Sequence, residues 1–500
     1  MAKYSLFLAA ALCCAIAASQ LNGADQAASA SSPASQAGAE RIKSLISKLG
    51  DTDSAVRDAA QQELVRIGPA AMDALVQAAK DPDAEIRSSA AEILRQVRAS
   101  AALAASKEMA KNYLWSSTIE SGTIGSPAVF GDRLYVVGGD WRLYAINLKT
   151  GRKVWDVDHQ GKGMFALGAG EKGVAFIQGA GLAFHDAKDG KEVWRKDVPG
   201  AAGPGGGPAI GGGAGRFPIF VPSQAWVMGG TVIAKATDGL RAFKAADGAD
   251  DWQVELKLAG RPCMAAMAGG IACMSSGQAV VGVDLATHKQ IWSHEVADTI
   301  VLGANGKVFC GVAGPKVFAL DPQKGGKLWE ADMPADTRPR VASGPAPVRH
   351  PGPLVMDDQR LYIVFGSQEF MTYDLKTGAM AAVAFDPSLV EAAAREMSGG
   401  ADSRNVPRPA GKSVLSLGAS RNASGGVLYV SGNDALLAFD GKTGRNLWML
   451  PVKHPISGSM NILDGVLYFV TLRGLSKTPD TGPAPLPKDT PGVHALKLPS

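Results

Sequence analysis

The sequence predicts a mainly β protein, an eight-bladed β-propeller preceded by a small α-helical module. Two observations predict this fold. A strand–turn–strand unit that ends on tryptophan recurs along the chain, as in LYAINLKTGRKVW, Leu143 to Trp155. The basic spacing between units is close to 40 residues, which is the length that four short antiparallel strands need. A unit that recurs at this period indicates a repeat architecture.

The first residues have the pattern of an export signal. Residues 1–24 place Lys3 ahead of an apolar run, Leu6 to Ala18, that is too short to cross a bilayer. Cys13 and Cys14 leave a lipid anchor as an alternative, but Leu12 occupies the position where a lipid-attachment signal has a small residue. Residues 25–38 are rich in Ala, Ser and Gln and are predicted to form a flexible linker. We therefore expect an exported protein of the periplasm or cell envelope.

Composition narrows the function classes. The chain has 500 residues, a net charge of +4 and no clustered basic surface, which argues against nucleic-acid binding. After signal removal only three cysteines remain, too few for a disulfide framework. Cys263 and Cys273 fall on adjacent strands of one hairpin. They either pair or, in an offset register, stay buried thiols like Cys310, and the second interpretation is favoured.

Residues 39–112 show helical periodicity. Asp51 and Asp81 mark a 30-residue repeat in which Val56-Arg57 is matched by Ile86-Arg87. This stretch resembles HEAT repeats of the short, phycobilisome-lyase-like kind, and the resemblance implies a surface that binds proteins. A cap or spacer is the alternative. Because two units are fewer than such arrays usually need, we expect the module to pack on the rest of the chain, with residues 99–112 as a connector.

The propeller is predicted over residues 113–500. A strand at 113–120 precedes the first unit and a strand around Val493 follows the last, so the two should pair and close the ring. Each repeat tryptophan should pack between neighbouring blades against the next turn. The final strands of the eight blades carry Trp115, Trp155, Trp194, Trp252, Trp292, Trp329, Ala382 in place of Trp, and Trp448.

The units AINLKTGRKVW, AFDGKTGRNLW and ALDPQKGGKLW resemble the tryptophan-docking repeats of the quinoprotein (PQQ-like) β-propeller superfamily. The resemblance spans essentially all of residues 113–500. It implies either a PQQ-dependent alcohol or sugar dehydrogenase, which holds a calcium-bound quinone, or a non-catalytic propeller similar to BamB, a scaffold of outer-membrane protein assembly. Those dehydrogenases usually also have a vicinal disulfide over the quinone, and the only vicinal cysteines here lie in the predicted signal.

Residues suited to catalysis are sparse. The repeat acids Asp284, Asp321, Asp374 and Asp440 occupy turn positions, where local hydrogen bonding is their expected role. The Asp and Asn residues lack calcium-loop spacing, and the seven histidines are scattered. We therefore predict a non-catalytic binding or scaffolding protein with no catalytic residue, metal site or cofactor. A PQQ-dependent oxidoreductase that uses PQQ with calcium is the alternative.

Four insertions lengthen the repeat, at about 197–224, 331–352, 383–418 and 471–492. In four-stranded antiparallel blades these connections leave at the same end, so the long loops should crowd onto one face. Arginine beside apolar residues on a rigid platform suits an envelope protein or peptide, whereas loops that only cover the central channel are the alternative. The candidate binding residues are Arg216, Phe217, Arg338, Arg340, Arg349, His350, Arg404, Arg408, Arg473 and Lys477.

Overall fold

The structure, a computed structural model, divides into two compact units, with the boundary between Arg98 and Ala99. The predicted signal peptide and most of the predicted linker lie outside the described residues. Those residues are 33–158, 165–178, 181–199, 225–236, 238–256, 264–275, 279–296, 299–334, 354–365, 369–384, 421–432, 435–452, 454–472 and 490–499.

The first unit is helical. It contains α1 (Pro33–Ser47), α2 (Ser54–Ile67), α3 (Met72–Ala78) and the first part of α4 (Ala84–Met109), with 3-10 turns at Lys48–Gly50 and Gly68–Ala71. Its core is apolar and includes the fully buried Leu64, Leu75 and Ile93. None of the described helices combines the length and the apolar character that a bilayer span requires.

The 30-residue repeat is visible in the helix starts. Before α2, Asp51 accepts the N–H of Asp53, Asp53 accepts the N–H of Ala55, and Arg57 Nη1 donates to the Asp51 carbonyl at 2.8 Å. The bond to Ala55 satisfies an N–H group that a helix start leaves without a partner. The same bonds precede α4, made by Asp81, Asp83 and Arg87.

The second unit holds eight four-stranded antiparallel sheets. Seven blades use consecutive strands, numbered from the innermost outward. The blades are, in order, β2 (Thr123–Phe130), β3 (Arg133–Gly138), β4 (Arg142–Asn147), β5 (Lys153–Asp158); β6 (Phe165–Ala169), β7 (Gly173–Gln178), β8 (Gly181–Asp186), β9 (Glu192–Asp197); β10 (Ala225–Met228), β11 (Thr231–Ala236), β12 (Gly239–Lys244), β13 (Asp250–Glu255); β14 (Met264–Ala268), β15 (Ile271–Ser275), β16 (Ala279–Asp284), β17 (Lys289–Glu295); β18 (Thr299–Ala304), β19 (Phe309–Ala313), β20 (Lys316–Leu320), β21 (Lys327–Asp332); β22 (Val355–Met356), β23 (Arg360–Phe365), β24 (Glu369–Asp374), β25 (Met380–Ala384); β26 (Arg421–Ser424), β27 (Val427–Ser431), β28 (Ala435–Asp440), β29 (Asn446–Pro451); and β30 (Ile456–Leu463), β31 (Val466–Thr471), β32 (Gly492–Lys497) with β1 (Tyr113–Thr118).

The eighth blade closes the ring with both ends of the propeller sequence. β1 lies antiparallel to β32, with Trp115 opposite Ala495 and Ser117 opposite Val493. This pairing removes the open edge that a linear array of blades would leave. The predicted eight-bladed fold and its closure are confirmed.

The core is distributed between the blades. Eight buried apolar clusters each join two consecutive blades around the ring. Between blades 1 and 2, for example, Tyr135, Leu143 and Trp155 pack with Val174 and Phe176. Each blade therefore buries both of its faces against neighbours, which is why its strands are apolar on both sides.

The two ends of the ring differ in the length of their connections. At one end, here called the turn end, connections between the first and second strands and between the third and fourth strands have at most six residues. At the opposite end, the loop end, four connections hold twenty residues or more. These four leave β9, β21, β25 and β31, as the positions of the insertions predict.

Candidate functional site

The predicted binding face belongs to the loop end. Each long connection leaves one strand and enters the next at the loop end, because strand direction alternates within each antiparallel blade. All ten candidate residues lie within these connections and outside the described residues, so their role stays a prediction. They are Arg216, Phe217, Arg338, Arg340, Arg349, His350, Arg404, Arg408, Arg473 and Lys477.

Five joints between blades share one tryptophan contact. In each, the indole Nε1–H donates to a backbone carbonyl in the third-to-fourth-strand turn of the next blade. The indole ring also lies against a glycine of that turn. The pairs of tryptophan and carbonyl are Trp115 and Leu148, Trp155 and Ala187, Trp194 and Ala245, Trp292 and Pro322, and Trp329 and Leu375, at 2.8–3.0 Å.

Two physical features of the turn require glycine at this position. Gly378 has a φ of +69°, a conformation that residues with a side chain rarely adopt. A Cβ at this position would also lie only 2.8 Å from the ring of Trp329. Turn conformation and ring contact therefore require the same residue.

The joint between blades 3 and 4 departs from this pattern. His288 has a φ of +56° in the turn, where the corresponding turns have glycine. Its ring stacks on Trp252, with centroids 4.4 Å apart and planes at 16°. The imidazole ring of His288 therefore packs against the tryptophan here, where a glycine packs against it in the other turns.

The joint between blades 6 and 7 contains no tryptophan, since Ala382 occupies that position. Tyr362 takes part instead: its hydroxyl donates to Asp357 Oδ2 at 2.9 Å, and the same oxygen accepts the N–H of Gly426 in blade 7 at 2.9 Å. The Tyr362 ring lies so close to Gly441 that a Cβ there would meet it at 2.5 Å. Burial, together with the charge of Asp357, raises the pKa of Tyr362.

A helical segment also covers this joint. Residues 99–109 of α4, here called the clasp segment, belong to the propeller unit. Ala102 and Leu103 pack into the cluster between blades 6 and 7. The buried Ser106 Oγ accepts the N–H of Met449, on the outermost strand of blade 7, at 2.9 Å, and it donates to the Ala102 carbonyl at 2.6 Å.

The sequence contains a signal for this contact that was missed. The residue after the tryptophan position is apolar in the two blades that the clasp segment covers, Val383 and Met449, and both are buried. The other blades have polar or charged residues there: Ser116, Asp156, Arg195, Gln253, Ser293 and Glu330. A polar outermost strand faces water, whereas an apolar one indicates that another element covers it.

The closing blade contains a buried polar cluster near the loop end. His494 Nδ1 lies 2.9 Å from Ser116 Oγ on β1, and its Nε2 lies 3.1 Å from Thr471 Oγ1 on β31. Thr123 of blade 1 donates to the Thr471 carbonyl at 3.2 Å. Burial, with a smaller contribution from His454, lowers the pKa of His494 to about 3, so the ring is neutral at pH 7.

The repeat acids serve the turns that contain them. The Oδ1 atoms of Asp284, Asp321, Asp374 and Asp440 each accept two backbone N–H bonds within their own turn. Bonds to backbone N–H groups hold the pKa of Asp284 and of Asp374 below the usual value. Their interpretation as turn residues is confirmed.

The described residues include two buried cysteines and dispersed acidic side chains. Within the described ranges, no group of three or more His, Cys, Asp or Glu residues could hold a metal ion. Cys273 is a free buried thiol opposite Ala266, so the offset register applies, and Cys263 lies outside the described residues. Burial raises the pKa of the Cys310 thiol to about 12, which makes it unreactive.

Comparison with protein families gives one match. The family is described as outer membrane protein assembly factor BamB, and it matches residues 75–210, 167–305, 236–398 and 388–481. These overlapping matches together run from residue 75 to residue 481, well over half of the chain. A comparison with curated proteins found no match.

Several solved structures are similar. The computationally designed protein Ika8 has a TM-score of 0.48 at 12% identity, over 77% of this chain and 100% of its own. BamB from Moraxella catarrhalis has a TM-score of 0.47 at 11% identity, over 76% and 96%. Quinohemoprotein alcohol dehydrogenase from Comamonas testosteroni has a TM-score of 0.45 at 16% identity, over 81% and 80%. Similarity at this level says nothing of function.

Proposed function

Because this chain belongs to the family described as outer membrane protein assembly factor BamB, we propose that it is an exported, non-catalytic scaffolding propeller that binds another protein in the bacterial cell envelope. The observation that carries the proposal is the one-sided placement of the long connections. Four connections of twenty residues or more leave the loop end, whereas no connection at the turn end exceeds six residues. Binding residues concentrate in long loops held by a rigid scaffold.

The propeller that carries these loops is held together by buried contacts between all neighbouring blades. The blades are joined by eight buried clusters, and the ring is closed by the pairing of β1 with β32. Loops anchored on such a ring keep their spacing, which lowers the entropy cost of binding a protein. Arginines on these loops are the residues that we expect to contact the partner.

The central experiment replaces three of the proposed contact residues. Capture of an envelope protein by the purified chain, followed by cross-linking and identification of the partner, should be lost when Arg338, Arg340 and Arg349 are all changed to Ala. The melting temperature should not change. A matched control changes three exposed lysines of the turn end, Lys188, Lys324 and Lys376, to Ala and should capture normally. Equal capture by both triple variants would refute the loop-end site.

Absence of catalysis is part of the proposal and has its own test. The protein is mixed with PQQ and calcium, and the quinone absorbance of the washed protein and dye-linked alcohol oxidation are measured. We expect neither signal, because the repeat acids are engaged by turn N–H groups. Retained quinone or alcohol oxidation would favour the oxidoreductase instead.

The helical unit is proposed as a HEAT-like second binding surface. Its two repeats are linked by Arg57 Nε, which lies 3.4 Å from Glu85 Oε1. A shallow, open surface depression of about 370 Å³ in this unit is lined by Asp58, Gln61, Gln62, Val65 and Gln96. Amide side chains both donate and accept hydrogen bonds, as an extended peptide backbone requires. Changing Gln61 and Gln62 to Ala should weaken capture of the partner; unchanged capture would indicate a spacer.

Export completes the proposal. Residues 1–24 act as a cleaved signal, and the mature chain is released to the envelope without a lipid. Cell fractionation and N-terminal sequencing of the mature protein should find it in the envelope with a start near residue 25. Labelling of Cys13 or Cys14 by a fatty acid would contradict the unlipidated form.

A further inference from the structure

The turn end of the propeller is formed by short turns between strands and by the end of β32 beside the start of β1, and the structure describes all of these turns. Each blade contributes a hairpin turn between its first two strands, and seven blades add a turn between the last two. In blades 1 to 4, 6 and 7 a backbone hydrogen bond joins the two turns. In blade 1 the N–H of Leu148 donates to the Asp132 carbonyl, and in blade 7 that of Gly441 donates to the Gly426 carbonyl, both at 2.8 Å.

Charge is distributed unevenly over this surface. The turn-end residues of blades 7, 8 and 1, here called the closure sector, contain seven Lys or Arg and three Asp, a net charge of +4. The corresponding residues of blades 2 to 6 contain ten Lys or Arg and eleven Asp or Glu, a net charge of −1. The closure sector comprises residues 130–133, 147–153, 424–427, 440–446, 463–466 and 497–499. The compared residues are 169–173, 186–192, 228–231, 244–250, 268–271, 284–289, 304–309, 321–327, 356–360 and 374–380.

Several cations of the closure sector are available to a ligand. Lys149, Arg152, Lys442 and Lys497 are exposed, and no carboxylate within the described ranges forms an ion pair with them. The nearby acid of blade 7, Asp440, directs Oδ1 to the N–H groups of its own turn. The cationic groups therefore dominate what this sector presents to solvent.

Exposed apolar side chains lie among these cations. Phe130 and Leu463 end the innermost strands of blades 1 and 8 and are 44% and 38% exposed. Leu114, which lies next to the closure sector on β1 beside β32, is 51% exposed. Cations beside apolar side chains on one surface are the combination that binds the interface of an anionic membrane.

We propose that the closure sector binds an anionic phospholipid bilayer, with the apolar side chains at the boundary between headgroups and acyl chains and the cations at the level of the phosphates. The proposal rests on the envelope location proposed above, but not on partner binding at the loop end. A bilayer fits this sector better than an acidic peptide, because the cations are spread over three blades of short turns instead of lining a groove.

The test is sedimentation of the full mature protein with vesicles at low salt. Vesicles of phosphatidylglycerol with phosphatidylcholine should bind at least tenfold more protein than phosphatidylcholine alone, and added salt should release it. Four charge reversals in the closure sector should lower binding at least tenfold, and four in the turns of blades 2 and 4 should lower it less than threefold. The test variant is K149E/R152E/K442E/K497E, and the matched control is K172E/K188E/K191E/K289E.

Melting temperature and partner capture keep this proposal separate from the previous one. The closure variant should melt and capture its envelope partner normally. If that variant does not fold, the double variant Phe130→Ser with Leu463→Ser provides the same comparison and should also bind vesicles at least tenfold less.

Three results would overturn the proposal. They are equal vesicle binding by the two quadruple variants, equal binding to phosphatidylcholine alone, and no binding of the unmodified protein to anionic vesicles. If soluble polyglutamate binds the closure sector while vesicles do not, the sector is a binding site for an acidic polypeptide.

Discussion

Two neighbouring joints of the same ring are built differently. Between blades 5 and 6, Trp329 lies on Gly378, donates to the Leu375 carbonyl at 2.8 Å and stacks with Tyr373 at a centroid distance of 6.0 Å. Between blades 6 and 7, the tryptophan is missing, and Tyr362, Asp357 and the clasp segment make the contacts. One joint relies on a single large ring, and the other on several smaller groups.

The difference shows what the repeat unit supplies. A tryptophan joins two blades without help from outside the ring, because one side chain provides both buried area and a hydrogen bond. A blade that loses it needs contacts from another part of the chain, and here these come from residues 99–109. Substitutions at the two joints should therefore differ in size.

The largest effect is expected at the tryptophan joint. Trp329→Ala should lower the free energy of unfolding by about 3–5 kcal/mol, because it removes a buried ring and its hydrogen bond. Urea denaturation measures the change. The matched control is Leu328→Ala on the same strand, which is 49% exposed and should change stability by roughly 0.5 kcal/mol or less. Similar losses in both variants would contradict the structural role.

The stability of the closing blade should respond to pH. The pKa of His494 is lowered to about 3 in the folded protein, against about 6.5 when unfolded. Between these values the unfolded chain binds more protons, so this contribution to stability is present above pH 6.5 and is lost as the pH falls. From pH 6.5 to 4 the loss should be about 2–3 kcal/mol. His494→Gln should flatten the profile relative to the unmodified protein, and an identical profile would rule out this histidine.

A smaller effect is expected at the joint without tryptophan. Tyr362→Phe removes a hydrogen bond to a buried carboxylate and should cost about 1.5–2 kcal/mol. Tyr429 is at the equivalent strand position of blade 7, and its hydroxyl makes no hydrogen bond within the described residues. Tyr429→Phe is therefore the control and should cost less than about 0.5 kcal/mol. Equal costs would mean that the Asp357 contact does not hold the joint.

The smallest effect is expected for the clasp segment. Ser106→Ala leaves the N–H of Met449 without its acceptor and should destabilise by roughly 1 kcal/mol. The exposed Ser100 of the same helix is the control, and Ser100→Ala should have no measurable effect. Hydrogen exchange of the Met449 amide reports the contact directly: exchange should be faster in Ser106→Ala, and unchanged exchange would contradict it.

The fold was accessible from sequence because the repeat is strong. The period near 40 residues, the turn at Gly151 and the unmatched strands at the two ends predict eight closed blades, and the structure confirms them. The contact of residues 99–109 with blades 6 and 7 was not predicted, because its signal is weak: two apolar residues, Val383 and Met449, at positions that are polar in the other blades with a tryptophan. For residues 99–112 the sequence predicts only a connector.

For the candidate site, the sequence predicts the end of the propeller that carries the long connections but not which residues contact a partner. Antiparallel order within each blade decides at which end a connection leaves, so insertion positions alone indicate the loop end. Which side chains of the long connections contact a partner depends on loop conformation, which neither period nor strand order determines. The roles of residues such as Arg338 and Arg408 therefore stay predictions.

The pairing of β1 with β32 has a consequence for when the protein can fold. Ser116 contacts His494 across 378 positions of sequence, so the last blade cannot be completed until almost the whole chain has been synthesised. A contact of such long range is slow to form, since a very large loop must close first. Until then β1 has no partner strand. The incomplete chain must stay extended or be bound by a chaperone if β1 is not to pair with a wrong strand.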